Sequence, residues 1–401
     1  MTESYWLHTV KSDPLEPFEA LPRGADVIVI GAGYAGLAAA RTLARRGATV
    51  IVLDQGGPGS GASGRNGGIV APGPSGAYSA TIERWGRPAA RLLNTISEDA
   101  VAYLRQLAEE ESYDVELHLP GHLVMATTDQ EIQALKTSQQ LMTEDGWPCD
   151  WIDMTTLPEG FQRCYVAGLK LSGGFVHSGK LSMAMAHQAR VAGARIGGPI
   201  RVIGLTPGNP KPEVILDNGQ RLIAEQVVVA TNAWTASLVP GMPIVAQRGQ
   251  VLVTDPVPPC LPYAVGARQG FDYFHQRQDG RIVLGGGRDR DFVAEATSED
   301  SLNTSLQAYL EDLLAQLLGR PIPIAERWSG IMGFTPDYLP LVGEVASKIH
   351  MVAGFSGHGV VVAPILGQWL GESLASGNTI DALSTFSPSR FQNVSEGTIL
   401  Q

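Results

Sequence analysis

The 401-residue chain has only three cysteines, Cys149, Cys164 and Cys260, and they lie far apart. No C-x-x-C pair and no Cys/His ligand spacing occurs, so neither a disulfide framework nor a metal site is expected. Basic residues are scarce: 29 Lys and Arg stand against 40 Asp and Glu, a net charge of −11. That balance argues against a broad nucleic-acid-binding surface. The first 21 residues have no apolar run and carry Glu3, Asp13, Glu16 and Glu19, unlike a signal peptide. One late stretch, 351–371, has no formal charge, but glycines, Ser356, His358, Pro364 and Gln368 interrupt it. It reads as a buried strand, turn and helix, not a membrane span. No period of 20–50 residues recurs, which excludes solenoids and propellers. A cytoplasmic location with no nucleic-acid or membrane partner is expected; nothing in the chain indicates an oligomeric state.

Hydrophobic residues make up 44% of the chain, and there are 47 glycines. The first supports a large core. The second implies many tight turns and close backbone approaches to a ligand. The length predicts two to three domains. Ala25-Asp26-Val27-Ile28-Val29-Ile30 is a short β-branched run that reads as a buried parallel strand. Ala38 to Arg46 is built of helix formers, with Gly47 as the stop. Thr49 to Leu53 is a second strand, ending at Asp54, so the three elements form one βαβ unit. Helices are expected over Arg87–Glu111, Lys180–Ala192 and Leu302–Leu318. Strands are expected over Arg195–Val202, Gln226–Ala230, Gln250–Thr254, Arg281–Leu284 and Lys348–Ala353. Asn218-Gly219 predicts a hairpin between Val214–Leu216 and Arg221–Ile223. Dinucleotide-type elements thus occur at the start, middle and end, with sheet elements between them. The prediction is an α/β (α+β) chain: a Rossmann-like domain interleaved with a second domain on a mixed or antiparallel sheet. The expected ranges are 22–100, 172–244 and 328–401 for the first, and 101–171 and 245–327 for the second.

Gly31-Ala32-Gly33-Tyr34-Ala35-Gly36 is a G-x-G-x-x-G that follows a strand and opens a helix, with an acid at the end of the next strand. In that context it is a dinucleotide-binding signature. Gly31 permits the turn, Gly33 lets the backbone approach a pyrophosphate, and Gly36 lets helix and strand pack. The helix N-terminus offers N–H groups to the phosphates, and Asp54 can accept hydrogen bonds from ribose hydroxyls. The unit alone does not choose between NAD and FAD. The chain next enters the loop Gly59-Ser60-Gly61-Ala62-Ser63-Gly64-Arg65-Asn66-Gly67-Gly68, which can wrap a large ring, where a nicotinamide enzyme would continue its domain.

Five segments carry a resemblance that spans about Ser4 to Gly377. They are the βαβ unit; Gly61 to Gly68; Val229-Ala230-Thr231-Asn232-Ala233-Trp234; Trp328-Ser329-Gly330 through Thr335-Pro336-Asp337 to Gly343; and Gly354-Phe355-Ser356-Gly357-His358-Gly359. Together they resemble the D-amino-acid-oxidase-like flavoenzyme family, which includes glycine oxidase and monomeric sarcosine oxidase. The Ser4-Tyr5-Trp6 opening looks most like the γ-glutamylputrescine oxidase branch. The resemblance implies FAD in an extended form. Gly31, Ala32, Gly33, Tyr34, Ala35, Gly36, Asp54 and Gln55 would hold its ADP half. Ala62, Ser63, Gly64, Arg65, Asn66, Gly67 and Gly68 would line pyrophosphate and flavin. Val202 would contact adenine, with Thr231, Asn232 and Trp234 on the adenosine side. Gly354, Ser356, Gly357, His358, Gly359 and Val360 would cap the flavin's pyrimidine end. The flavin-linking cysteine of sarcosine-oxidase-like members falls near Gly330 here, so the FAD is expected to be non-covalent.

Three substrate-carboxylate anchors of the family are missing. The Leu-Arg-Pro stretch reads Ile331-Met332-Gly333, and the arginine and lysine of sarcosine-oxidase-like members align with Ala71 and Val361. A buried α-carboxylate would be left unpaired at a cost of several kcal/mol. An amine substrate is therefore expected, or one whose carboxylate lies far from the reacting carbon, with Arg248, Arg268 or Arg288 as a replacement anchor. An α-amino-acid oxidase or dehydrogenase and a flavin-holding subunit without activity are the alternatives. The oxygen-activating lysine aligns with Val283; O2 is the expected electron acceptor, giving H2O2. Tyr273, His275, Trp328, Met332 and Arg248 are the candidate substrate-site residues, Tyr273 and His275 sharing one face of a strand.

Overall fold

The computed structural model describes residues 2–12, 14–17, 20–74, 76–110, 113–208 and 210–391. Glu111, where one expected helix ends, and 392–401 of the expected first domain lie outside the described residues. The chain forms two compact units, each assembled from separate stretches of sequence. One takes Thr9–Gly64, Gly179–Gln247 and the chain from Ile331 onward; the other takes the residues up to His8, Arg65–Ser178 and Arg248–Gly330. The chain thus passes between units at 8/9, 64/65, 178/179, 247/248 and 330/331; the sequence expectation placed four passages, at 100/101, 171/172, 244/245 and 327/328. Helices Tyr78–Trp85 and Arg87–Glu109 go with the second unit because they pack with helix Asp129–Glu144. There Tyr78 Oη donates to Asp145 Oδ2 at 2.8 Å and Arg87 Nε to Asp145 Oδ1 at 3.0 Å.

The first unit is an α/β layer. Its main sheet runs Leu341–Ala346, Ile349–Ala353, Arg221–Val229, Gly24–Ile30, Val50–Leu53, Arg195–Gly197. All neighbours are parallel except the first pair. Val27 to Ile30 of strand Gly24–Ile30 and the whole of Val50–Leu53 are continuous apolar runs because both faces of a parallel sheet are covered. Every side chain from Tyr34 to Ala44 of helix Tyr34–Arg45 is buried. Ile28, Ile30, Val227, Val229, Met351 and Ala353 sit in one apolar cluster, each large member contributing about 1.5–3 kcal/mol by burial. The single strand expected over Arg195–Val202 is two, Arg195–Gly197 and Val202–Thr206. Gly198-Pro199 interrupts it, since proline has no N–H for the ladder. The stretch 351–371 is the end of a strand and most of helix Gly359–Ser376. Among the described residues no helix is long and apolar enough to cross a membrane.

The second unit carries a mixed, mostly antiparallel sheet ordered Ile324–Phe334, Val245–Thr254, Ile282–Gly286, Asp272–Gln276, Ala264–Ala267, His122–Ala126, Ala167–Leu171, Asp150–Trp151. Its two end strands at one edge, Ile324–Phe334 and Val245–Thr254, continue across the 330/331 and 247/248 passages. Phe274 enters the core with Leu252, Leu284, Leu310 and Leu314. Helix Thr304–Leu318 covers that core; Asn303 caps it by accepting from Ser305 N, and Gly319 ends it at φ +71°.

Candidate active site

In the α/β unit the glycine turn is sterically determined. Gly31 has φ +110°, and a Cβ there would lie 2.5 Å from Ala230 O. A Cβ on Gly36 would lie 2.0 Å from Gly31 O. A Cβ on Gly33 would meet Ser63, 3.0 Å from its Oγ and 4.0 Å from its Cβ, so the glycine lets the 59–64 loop come close to the helix start. Gly33 is the N-cap of helix Tyr34–Arg45 and contributes no side-chain acceptor. The loop folds back here: Tyr34 N donates to Ser63 Oγ at 3.1 Å and Gly59 N to Ala32 O at 3.0 Å. Ala62–Gly64 form a short 3-10 turn.

Asp54 has a task the sequence did not suggest. Its Oδ1 accepts from Gly56 N, Gly57 N and Ser60 Oγ, and its Oδ2 accepts from Ala32 N at 2.8 Å. A carboxylate has about four acceptor positions, so most of its capacity holds the loop against the glycine turn and little remains for a ribose. Gln55 beside it is exposed. Asn232 adopts φ +47°, and its Oδ1 accepts from Gly354 N at 3.0 Å, tying the Thr231–Trp234 turn to the last glycine loop. Thr231 Oγ1 and Thr235 Oγ1 are 3.1 Å apart. Trp234 is partly exposed, 3.8 Å from where a Gly61 Cβ would sit. Val202 opens strand Val202–Thr206, opposite Leu216.

The last loop contains Gly354, Ser356 and Gly357, all at positive φ. Ser356 Oγ accepts from Thr335 N at 3.2 Å. His358 Nδ1 lies 3.2 Å from Ser356 O, and burial pushes its imidazole below the usual range, so it is neutral. His358 is the N-cap of helix Gly359–Ser376, again without a side-chain cap, and Val360 is buried in its first turn. This helix packs on helix Tyr34–Arg45. A Cβ at Gly367 would lie 2.2 Å from Ala35 O, and one at Gly371 would lie 3.0 Å from Ala39 O. Both register pairs ascend together, so the helices are parallel. The second begins about seven residues earlier, or about 10 Å further along at 1.5 Å per residue. Two uncapped helix N-termini therefore point the same way at staggered heights, each a site for negative charge.

The second unit contains the other half of the expected set. Arg65 O accepts from Trp328 Nε1 at 3.0 Å, and Asn66 O accepts from Trp6 Nε1 at 2.6 Å. Asn66 Oδ1 accepts from Gly68 N at 2.8 Å and from Ser178 Oγ at 2.6 Å. The Tyr273 ring lies on Gly67 and Gly285, where a Cβ would come within 2.4 and 2.6 Å of it. Desolvation pushes its phenol up to about 12, and the charge of Arg288 opposes the rise. His275 is 1% exposed and stacks on Phe175 with centroids 4.5 Å apart. Neither of its ring nitrogens has a partner in full hydrogen-bond geometry, although the Gly67 backbone favours its protonation. Desolvation, then the charge of Arg277, push it to about 3.

Five of the expected residues have surroundings the sequence did not indicate. Arg248 is neither a substrate contact nor a solvated strand end. It is buried, donates to both Glu295 carboxylate oxygens at 3.0 and 2.8 Å, and reaches Ser301 Oγ at 2.5 Å. Arg268 is likewise committed, to Asp272, Tyr309 and Asp289. The Arg65 guanidinium pairs with Asp300 at 3.1 Å and donates to Ser329 O and Thr2 O, so Arg65 offers its loop only backbone. Trp328 is 0% exposed and is an anchor for Arg65 O, not a pocket wall. Met332 falls in the α/β unit, whereas Tyr273 and His275 belong to the other, and it is half-buried. The sequence missed Thr2, Trp6, Ser178 and Asp300. The Ser4-Tyr5-Trp6 opening was the one available signal, and it marked only a branch.

A glycine turn at the start of a helix in a parallel sheet is the arrangement of a dinucleotide-binding protein. The chain belongs to the FAD dependent oxidoreductase family, whose profile matches residues 26–373. It is 29% identical over 393 residues to a probable oxidoreductase OrdL of Rhizobium meliloti (strain 1021), covering 95% of this chain and 90% of that one. It is 27% identical over 391 residues to the gamma-glutamylputrescine oxidoreductase of Escherichia coli (strain K12), covering 93% and 89%. The fold matches the crystal structure of glycine oxidase from Geobacillus kaustophilus with a TM-score of 0.79 at 22% identity, over 92% of this chain and 99% of that one. The protein is an FAD-dependent oxidoreductase. The residues present fit that group: Gly33 brings no side-chain cap of its own to helix Tyr34–Arg45, and the turn before it is too close-packed at Gly31 and Gly36 for any Cβ.

Proposed function

We propose that the protein oxidises amines, primary or secondary, of the γ-glutamylputrescine-like or N-alkyl kind, and that any substrate carboxylate lies remote from the reacting carbon. The observation that carries this is the absence of the family's α-carboxylate anchors, whose positions read Met332, Ala71 and Val361; the setting of Arg288 agrees with it. Arg288 follows the strand paired with that of Tyr273, and its guanidinium lies 5.4 Å from the Phe271 ring and 5.3 Å from the Phe292 ring. The ring of Tyr273, itself on Gly67, is in reach of its charge. A carboxylate paired with Arg288 would thus be set off from the 65–68 loop by an aromatic ring, whereas the family's α-carboxylate anchors are absent from the sequence.

Bound FAD supplies the acceptor for a hydride from the carbon beside nitrogen. The chain's own part is to bind, orient and keep water out. Gly31 to Gly36 and Ser63 would hold the ADP half, Arg65 to Gly68 the flavin, and helix Gly359–Ser376 would place its N–H groups where negative charge collects. Tyr273 stays protonated through the physiological range and acts as a donor, not a base. His275 and His358 are neutral and add no positive charge against an ammonium substrate. The amine has to lose its proton before the hydride moves, because its lone pair forms the C=N bond of the imine. The imine product hydrolyses to an aldehyde or ketone plus amine or ammonia, and O2 as acceptor yields H2O2.

Anaerobic titration tests this. Gamma-glutamylputrescine or an N-methyl amine is expected to bleach the flavin absorbance, and readmitted air to restore it with release of peroxide. Bleaching by glycine or D-amino acids alone would overturn the substrate class. Acid precipitation is expected to leave all yellow colour in the supernatant, since no cysteine lies near Gly330 to tether the flavin.

A further inference from the structure

The Ser4-Tyr5-Trp6 opening has no role in the chemistry above, yet its segment reaches the 65–68 loop at several points. Trp6, in helix Tyr5–His8, is 0% exposed and donates to Asn66 O at 2.6 Å. Thr2 is a hub. Its Oγ1 donates to Asp300 Oδ1 at 2.5 Å and accepts from Arg65 Nη1 and Ser329 N, each at 3.1 Å. Its carbonyl accepts from Arg65 Nη2 at 2.6 Å, and its N–H donates to Asp300 Oδ2 at 3.1 Å. Tyr5 Oη accepts from Arg277 Nη1 at 2.9 Å, which fixes the helix from its other side. Trp328 adds the second indole, on Arg65 O.

The consequence follows from peptide planarity. In a trans peptide the carbonyl of one residue and the N–H of the next point in opposite directions. With Arg65 O and Asn66 O both held by indole N–H groups, the amides of Asn66 and Gly67 are turned away from the indoles. Left to itself, such a glycine-rich segment would sample many orientations.

We propose that Trp6 and Thr2 are positioning residues for FAD: Trp6 fixes the peptide plane after Asn66 directly, and Thr2 holds the loop through the Arg65 guanidinium, so that the amide donors of Asn66 and Gly67 are preset for the cofactor. This rests on the reading that residues 65–68 line the flavin. The preset orientation removes an ordering cost that binding would otherwise carry.

The test titrates apoprotein with FAD, following flavin fluorescence, for wild type, Trp6→Phe and Thr2→Val. Phe keeps an aromatic ring among His177, His275 and Trp328 but cannot donate; Val keeps the shape of Thr but loses the hub. Each variant is expected to weaken FAD binding about tenfold, the scale of one lost hydrogen bond with its ordering. The apoprotein melting temperature is expected to stay near that of wild type, and the vibronic structure of the visible flavin band to blur. At saturating FAD the KM for amine is expected to be unchanged. Should Trp6→Phe fail to fold, Thr2→Val decides. Wild-type affinity for FAD in the folded variants would overturn the proposal, as would a loss that only tracks a lower melting temperature. A wild-type apoprotein that takes up no FAD would instead overturn the flavin reading on which the proposal stands.

Discussion

Arg248 and His275 show how burial decides what a polar residue does. The Arg248–Glu295 pair has side-chain exposures of 8% and 0%, so removing one partner strands the other charge in a dry site. Glu295→Gln or Arg248→Met is expected to destabilise the protein by about 3–5 kcal/mol. A shifted denaturant midpoint with KM for amine unaltered would confirm that role; a KM change without loss of stability would return Arg248 to the substrate site. His275 is neutral when folded, with a pKa of about 3, against about 6.5 in an unfolded chain. Between those values the unfolded state binds more protons. The stability His275 allows is thus fully present above pH 6.5 and is lost as pH falls toward 3, by roughly 1.4 kcal/mol per pH unit. His275→Phe is expected to flatten the fall in melting temperature between pH 7.5 and 5. A variant as acid-sensitive as wild type would show that other histidines dominate; burial shifts His350 and His358 the same way.

At the scale of elements, helix packing through glycine makes a sharper prediction. Gly367 and Gly47 are both helix-associated glycines in the α/β unit, but a Cβ at Gly367 would press to 2.2 Å on Ala35 O, and one at Gly47 would meet nothing within 4 Å. Gly367→Ala must separate the two helices whose N-termini we propose for the cofactor, at a cost of at least about 1–3 kcal/mol. Gly47→Ala incurs only the strain of φ +90°, about 1 kcal/mol. Melting curves and FAD titrations of the two variants are expected to separate them on both readouts. The same contrast explains what could be read in advance. Strand Gly24–Ile30, its helix and strand Val50–Leu53 are contiguous, and each is specified by local pattern, so the βαβ unit was legible. Helix Asp129–Glu144 was not, because only Leu135, Ser138 and Met142 of it are buried and its apolar stripe is thin. The glycine loop was legible as composition, but the groups that fix it lie 60 residues away at Trp6 and 263 away at Trp328. Glu295, the partner that removes Arg248 from the site, is 47 residues off. Spacing along a chain carries no information about such pairings.

For the whole molecule, strand order dictates what can be removed. In the α/β sheet, Gly24–Ile30 is flanked by Arg221–Val229 and Val50–Leu53, and Arg221–Val229 in turn by Ile349–Ala353. Three separate chain segments thus build one sheet, and Gly31 owes its conformation to Ala230 O in another of them. A fragment ending at Ser178 keeps the entire G-x-G-x-x-G and Asp54 but exposes the edge of its central strand and loses the partner of Gly31. It is expected neither to stay monomeric nor to bind FAD, since an unpaired buried strand edge templates aggregation. In the full chain, FAD at a hundredfold excess over its dissociation constant is expected to stabilise by about 2.7 kcal/mol, so the melting temperature should climb with the logarithm of added FAD. Scanning both with and without FAD separates a motif that acts alone from one that works only within the assembled sheet. A FAD-dependent rise in the fragment would show that the motif is self-sufficient and that the distant strands only add stability. A rise confined to the full chain would show that the cofactor cradle is a property of the completed sheet.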